Sequence, residues 1–202
     1  MTSYRTVKWN QTYESYRMLG TMDLVFEIGV AGGGSLQKLR EIYPDATIVG
    51  IDCDPRCRNA ADPKNGVHVE IGSVMRPSFL MGLLMKYGSP DLVIDDGGHK
   101  AWHHLAAFRV LWSHLKSGGV YVIEDIHTCL NPRYSLIPGG AMWVLLPYLF
   151  NRYPVELRSN MMIVYKRAIL PHLEVSGDVD CREEEEEYFF CDLTVDESHT
   201  RV

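Results

Sequence analysis

No apolar run in this sequence reaches membrane-spanning length, and its opening MTSYRTVKWNQ lacks the apolar stretch of a signal peptide. A cytoplasmic protein with no membrane insertion is therefore expected. An excess of positive charge is also missing. The net charge is −6, which argues against a nucleic-acid backbone or an anionic membrane as the main partner. There is no CxxC pair and no Cys/His cluster at zinc spacing. The cysteines at 53, 57, 129, 181 and 191 are odd in number and read as reduced thiols. No internal repeat or domain boundary interrupts the chain. Its 202 residues, 46% hydrophobic and 23% charged, suffice for one sizeable core.

What is present is strand and helix in alternation. A leader segment, 1–20, carries Trp9, Tyr13, Tyr16 and Leu19 at rough helical spacing, an aromatic stripe that reads as packing. A strand at 24–28 runs into the glycine-rich turn Gly29–Gly34. Ser35 is placed to cap the helix SLQKLREIY, which stops near Pro44. The strand ATIVGID, a Pro/Asn/Asp-rich loop, the strand VHVEI and a helix at 78–87 follow. Two apolar runs, LVI and VYVI, then flank a helix at 101–115. This order predicts an α/β fold, a Rossmann-like doubly wound and mostly parallel sheet with a ligand crevice at the carboxyl ends of its strands. After Thr128 come a loop at 131–140, a short apolar helix at 141–151, and VELRSNMMIVYKR, an antiparallel strand pair turning at Ser159-Asn160. Residues 1–170 form the expected domain. The tail 171–202, with five consecutive glutamates at 183–187, reads as a solvated acidic segment with a short docked strand.

Both apolar runs end in paired acids, Asp95-Asp96 and Glu124-Asp125, with His99 three residues after the first pair. On neighbouring parallel strands these acids emerge at one sheet edge. A divalent cation with a taste for oxygen ligands would offset their mutual repulsion. The glycine turn places backbone N–H groups at a helix N-terminus, and Asp52 ends the second strand where ribose hydroxyls would be bound. Glu27, two residues before Gly29, suits a cationic ligand end. With no GxGxxG present, this disfavours an NAD-linked dehydrogenase.

Glu27-x-Gly29-x-Ala31-x-Gly33 followed by Asp52 is similar to the first two motifs of class I S-adenosylmethionine-dependent methyltransferases. Ala31 stands where many members have the middle glycine. The stretches IDDGGH and VIEDIHT resemble the magnesium-dependent sugar O-methyltransferases of the macrocin and mycinamicin type. The resemblance covers roughly residues 6–167. It implies magnesium ligands at Asp96, Glu124 and Asp125 and a general base at His99. It implies S-adenosylmethionine contacts from Glu27, Gly29, Ala31, Gly33, Ser35, Asp52, Gly72 and Ser73, with Asp95 supporting the cofactor or its loop. Gly72-Ser73 replaces the Gly-Asp common in the family. The implied reaction is methyl transfer to a sugar hydroxyl of a carbohydrate or glycoside, such as a deoxysugar. A homo-oligomer is compatible with it. The competing readings are a catechol or phenol O-methyltransferase and a non-catalytic domain that binds the donor alone. His127 is a second candidate at the substrate side. Arg133, Tyr134 and Trp143 fall in the acceptor region, and His103, His104 and His114 read as surface or packing residues.

Overall fold

The structure, a computed structural model, describes residues 12–130, 149, 152–158 and 160–166. The Trp9 end of the leader, the loop 131–140 with Arg133 and Tyr134, Trp143 with nearly all of the expected helix 141–151, and the tail 171–202 lie outside the described residues.

The described residues begin with a helical segment, α1 (12–17), then β1 (Leu24–Ile28), α2 (Gly34–Ile42), β2 (Thr47–Asp52), β3 (Val67–Ile71) and α3 (Pro77–Tyr87). It continues through β4 (Leu92–Asp95), α4 (Ala101–His114), β5 (Val120–Ile123), β6 (Val155–Arg158) and β7 (Met161–Tyr165). The Pro-rich loop between β2 and β3 is wound into two short 3-10 turns, Pro55–Ala60 and Pro63–Asn65. The strands form one seven-stranded sheet in the order β3-β2-β1-β4-β5-β7-β6. The pairs from β3 through β5 are parallel, and β7 runs antiparallel to both β5 and β6. The alternation of elements thus yields the mostly parallel sheet expected, with the antiparallel pair at its C-terminal end.

Side-chain alternation along each strand divides the core into two layers. Val25, Ile48, Leu92, Ile94 and Val122 pack with Leu36 and Leu39 of α2 and Tyr16 of α1. On the other face Phe26 meets Tyr87 of α3 edge-on at 6.3 Å, and Tyr121 meets Phe108 of α4 at 4.9 Å. Every residue of β1, β4 and β5 is buried, as for strands covered on both faces. Each large apolar side chain buried this way contributes about 1.5–3 kcal/mol to the stability of the sheet that carries the site. Past β7, Lys166 Nζ reaches the carbonyls of Trp112, Ser113 and Leu115 at 2.8–3.1 Å. It thereby satisfies the orphaned C-terminal end of α4.

One local expectation is corrected. Ser35 does not cap α2. Gly33 takes the N-cap position in the left-handed conformation, φ 77°, and no side chain closes the turn. The Ser35 hydroxyl instead donates to Glu27 Oε2 at 3.1 Å.

Candidate active site

Strand register builds the site. Ile28 of β1 lies beside Asp95 of β4, and Asp95 beside Ile123 of β5. The residues just beyond, Gly29, Asp96 and Glu124, therefore leave the sheet along one edge. Gly29 has φ +93°, and a Cβ there would stand 2.3 Å from the carbonyl oxygen of Asp96. Only glycine lets the turn after β1 lie against the loop after β4. The result is a cleft of about 980 Å³ over the carboxyl ends of the strands, the crevice expected of an open α/β sheet.

Of the residues singled out from sequence, Glu27, Gly29, Ala31, Ser35, Asp52, Gly72, Ser73, Asp96, His99, Glu124 and Asp125 all line this cleft. Gly33 and Asp95 do not. Gly33 is spent on the start of α2, with its Cα face against Ala60. Asp95 is buried, with its Oδ2 3.0 Å from His104 Nδ1 and accepting from the Tyr121 hydroxyl at 3.3 Å, while its Oδ1 accepts from the N–H of Gly97 in the cleft-lining loop at 3.4 Å. The two acid pairs differ in where their strands stop: Asp95 is the last residue of β4 and is held in the sheet, whereas β5 ends at Ile123 and leaves both Glu124 and Asp125 beyond it. His104, expected at the surface or in packing, is this buried partner. His103, given the same reading, lines the cleft, as do Thr12 and Tyr13 of α1.

At the glycine-turn end, Glu27 is 3% exposed. Burial pushes its carboxyl well above the usual range; the Ser35 hydrogen bond works against that rise, and the nearby charges of Glu124 and Asp96 add to it. A cationic group in the cleft would relieve this cost. Asp52 has the opposite character. Burial alone would raise it, but backbone N–H bonds from Asp54, Val30 and Ala31, at 2.9, 2.9 and 3.3 Å, hold it low. Its carboxylate thus braces the turn while facing the cleft.

At the other end Asp96, His99 and Asp125 bring one ligand atom each within 4.8 Å of one another. His99 Nε2 lies 3.8 Å from Asp125 Oδ2. Glu124 reaches the same cleft, but its Oε1 accepts a hydrogen bond from the Tyr16 hydroxyl. The carboxylates offer the hard oxygen donors magnesium takes, and an octahedral ion bound by two or three of them keeps positions for water or substrate oxygens. The donor set fits. Among the described residues, the three non-glycine positions with positive φ are Ala31, His99 and Asp125, at 47°, 54° and 52°. All three border the cleft, where such backbone strain is commonly held for function.

Sequence reasoning missed Asn160. Its Nδ2 donates to Asp125 Oδ1, and its Oδ1 accepts from His127, at 2.5 Å from the ring Nδ1 and 3.3 Å from the backbone N. In sequence it marks only the turn of the strand pair, and nothing in its spacing connects it with an acid 35 residues earlier.

Residues 26–126 match the methyltransferase domain family. The chain belongs to that family. Among similar proteins, the 8-demethyl-8-(2-methoxy-alpha-L-rhamnosyl)-tetracenomycin-C 3'-O-methyltransferase of Streptomyces olivaceus is 38% identical over 124 residues, covering 58% of this chain and 30% of the relative. The mycinamicin VI 2''-O-methyltransferase of Micromonospora griseorubida is 33% identical over 125 residues, covering 55% of this chain and 29% of the relative. The solved structure of MycE methyltransferase from the mycinamycin biosynthetic pathway, in complex with Mg, SAH and mycinamycin VI, superposes with a TM-score of 0.69 at 25% identity. That match covers 89% of this methyltransferase domain and 53% of MycE. The chain thus spans less than a third of the length of these curated relatives and about half of the solved one.

Proposed function

We propose that this methyltransferase domain transfers the methyl group of S-adenosylmethionine to a sugar hydroxyl of a glycoside, with magnesium at the acceptor end. One observation supports this most: a single cleft joins the buried Glu27 and the braced Asp52 at one end to Asp96, His99, Glu124 and Asp125 at the other. Glu27 would take the amino cation of the donor and Asp52 its ribose hydroxyls. Asp96, Asp125 and Glu124 would hold magnesium, which when bound lowers the pKa of a chelated hydroxyl. His99 would accept the proton as the acceptor oxygen bonds to the methyl carbon and the carbon–sulfur bond breaks, leaving S-adenosylhomocysteine. A neutral imidazole is suited to this near pH 7, and a general base typically contributes about 10²–10⁴-fold. The relatives named for rhamnosyl and mycinamicin acceptors favour a deoxysugar over a catechol. A cytoplasmic setting goes with such a donor.

The test is turnover of labelled S-adenosylmethionine against rhamnosyl glycosides and catechols in parallel. Methylated glycoside should form, EDTA should stop it, and magnesium should restore it. His99→Ala should cut kcat by about 10²–10⁴-fold with the affinity for S-adenosylhomocysteine unchanged. Preference for catechols, or full activity in EDTA, would overturn the reading.

A further inference from the structure

We infer that Tyr16 and Asn160 are positioning residues for the acid pair that follows β5, Tyr16 for Glu124 and Asn160 for Asp125. The inference rests on the proposed metal site and extends it to residues that do not themselves touch the ion. The two acids are adjacent in sequence and like in charge, so each gains from a neutral donor that fixes its carboxylate without adding charge. The fold supplies one to each. The Tyr16 hydroxyl, on a side chain 1% exposed, donates to Glu124 Oε1 across 108 residues of sequence. The phenol is itself located by the Tyr43 hydroxyl, which donates to the Tyr16 carbonyl at 2.7 Å and pins α1 to the end of α2. Asn160 Nδ2 donates to Asp125 Oδ1 from the turn between β6 and β7.

The orientation of the Asn160 amide follows from its neighbours. The backbone N–H of His127 can only donate, so the amide atom facing it is the oxygen, and the NH₂ faces Asp125. By the same logic the His127 Nδ1, at 2.5 Å from that oxygen, carries a proton. A backbone bond from Ile126 N to the Asn160 carbonyl, 3.0 Å, fastens the turn to the segment after β5. The Asp125 backbone, strained at φ 52°, is held in addition by the Thr128 N–H and hydroxyl, at 2.9 and 2.8 Å on its carbonyl. With Oδ1 taken by Asn160, Asp125 Oδ2 is the oxygen directed toward His99. Hydrogen-bond partners of metal ligands typically carry 10–100-fold in metal affinity.

The experiment measures Mn²⁺ binding, by loss of the free-ion electron paramagnetic resonance signal, with Mg²⁺ as competitor. It compares the parent, Tyr16→Phe and Asn160→Ala. Each variant should bind about 10–100-fold more weakly, while calorimetry in EDTA finds an unchanged affinity for S-adenosylhomocysteine. In turnover, the Mg²⁺ activation constant should rise and kcat at saturating Mg²⁺ should largely recover. A merely structural hydroxyl or amide would lower the melting temperature without moving cation affinity, and that result in both variants sinks the inference. If Tyr16→Phe does not fold, Asn160→Ala decides alone by the same readout. A parent that binds no Mn²⁺ overturns the metal site and this inference together, whereas a parent that binds while both variants match it overturns the inference alone.

Discussion

At the scale of single residues, the site is a set of carboxylates given unlike environments. Glu27 is buried and its carboxyl pushed well up, whereas Asp52 is held low by three backbone donors. Binding an amino cation requires Glu27 ionised, so below its raised pKa the complex must release a proton. Affinity for S-adenosylhomocysteine should therefore strengthen as pH rises through that value. Calorimetry in buffers of different ionisation enthalpy should detect up to one proton released on the acid side. Glu27→Gln should remove the pH dependence and weaken binding at least tenfold, in line with about 1.5–3 kcal/mol for a hydrogen bond to a charged group. A pH-independent parent would show that the cationic end of the ligand lies elsewhere. Some of this was readable in the sequence, because Glu27, Asp52 and the acid pairs sit at strand ends fixed by pattern. Asp95 was not decidable, since its burial depends on β4 running one residue further than its apolar pattern, while β5 stops before its acid pair. Nor were Tyr16 and Asn160, because side-chain bonds spanning 108 and 35 residues leave no spacing signal.

At the scale of elements, the glycine turn is where the two halves of the cleft meet. Gly29→Ala would force a Cβ to 2.3 Å from a backbone oxygen, an atom that cannot swing aside, at a φ that L-residues rarely adopt. The expected cost is on the order of 2 kcal/mol or more. In a domain of this size that lowers the melting temperature by roughly 4–8 °C. Donor and cation affinity should fall together, because the same contact places Asp96. Gly82→Ala in α3, where nothing lies within 4 Å of the new Cβ, should instead raise stability by up to about 1 kcal/mol. Equal thermal shifts in the two variants would contradict this account. The elements themselves were legible, because fully buried apolar runs alternating with helical stretches admit few arrangements other than a doubly wound sheet. The start of α2 was not, since a left-handed glycine and a serine compete for one cap and only tertiary context hands the serine to Glu27.

At the scale of the molecule, stability has a pH-dependent component in the buried Asp95–His104 pair. Burial is the largest single influence on the imidazole and would lower its pKa, but the charge of Asp95 and its close side-chain contact together outweigh it and raise the value. A pKa raised in the folded state contributes stability that is full below the unfolded value, about 6.5, and is lost as pH climbs through the folded one. His104→Leu should cost about 3–5 kcal/mol near pH 6, the usual penalty for stranding a buried charge. The deficit, followed by thermal denaturation from pH 6 to 9, should narrow toward alkaline pH, and a constant deficit would contradict the pairing. Sheet order carries a consequence for synthesis as well. Among the described residues the outer edge of β5 is closed by β7, which pairs with it from Met162 to Tyr165. At about 5–20 residues per second, the roughly 40 residues separating them take about 2–8 s to emerge from a ribosome. For that interval a strand that is buried in the folded protein has an open side. The nascent chain is then most exposed to templating by its neighbours, and β7 both seals that edge and arrives with Asn160, which reaches the carboxylate it holds.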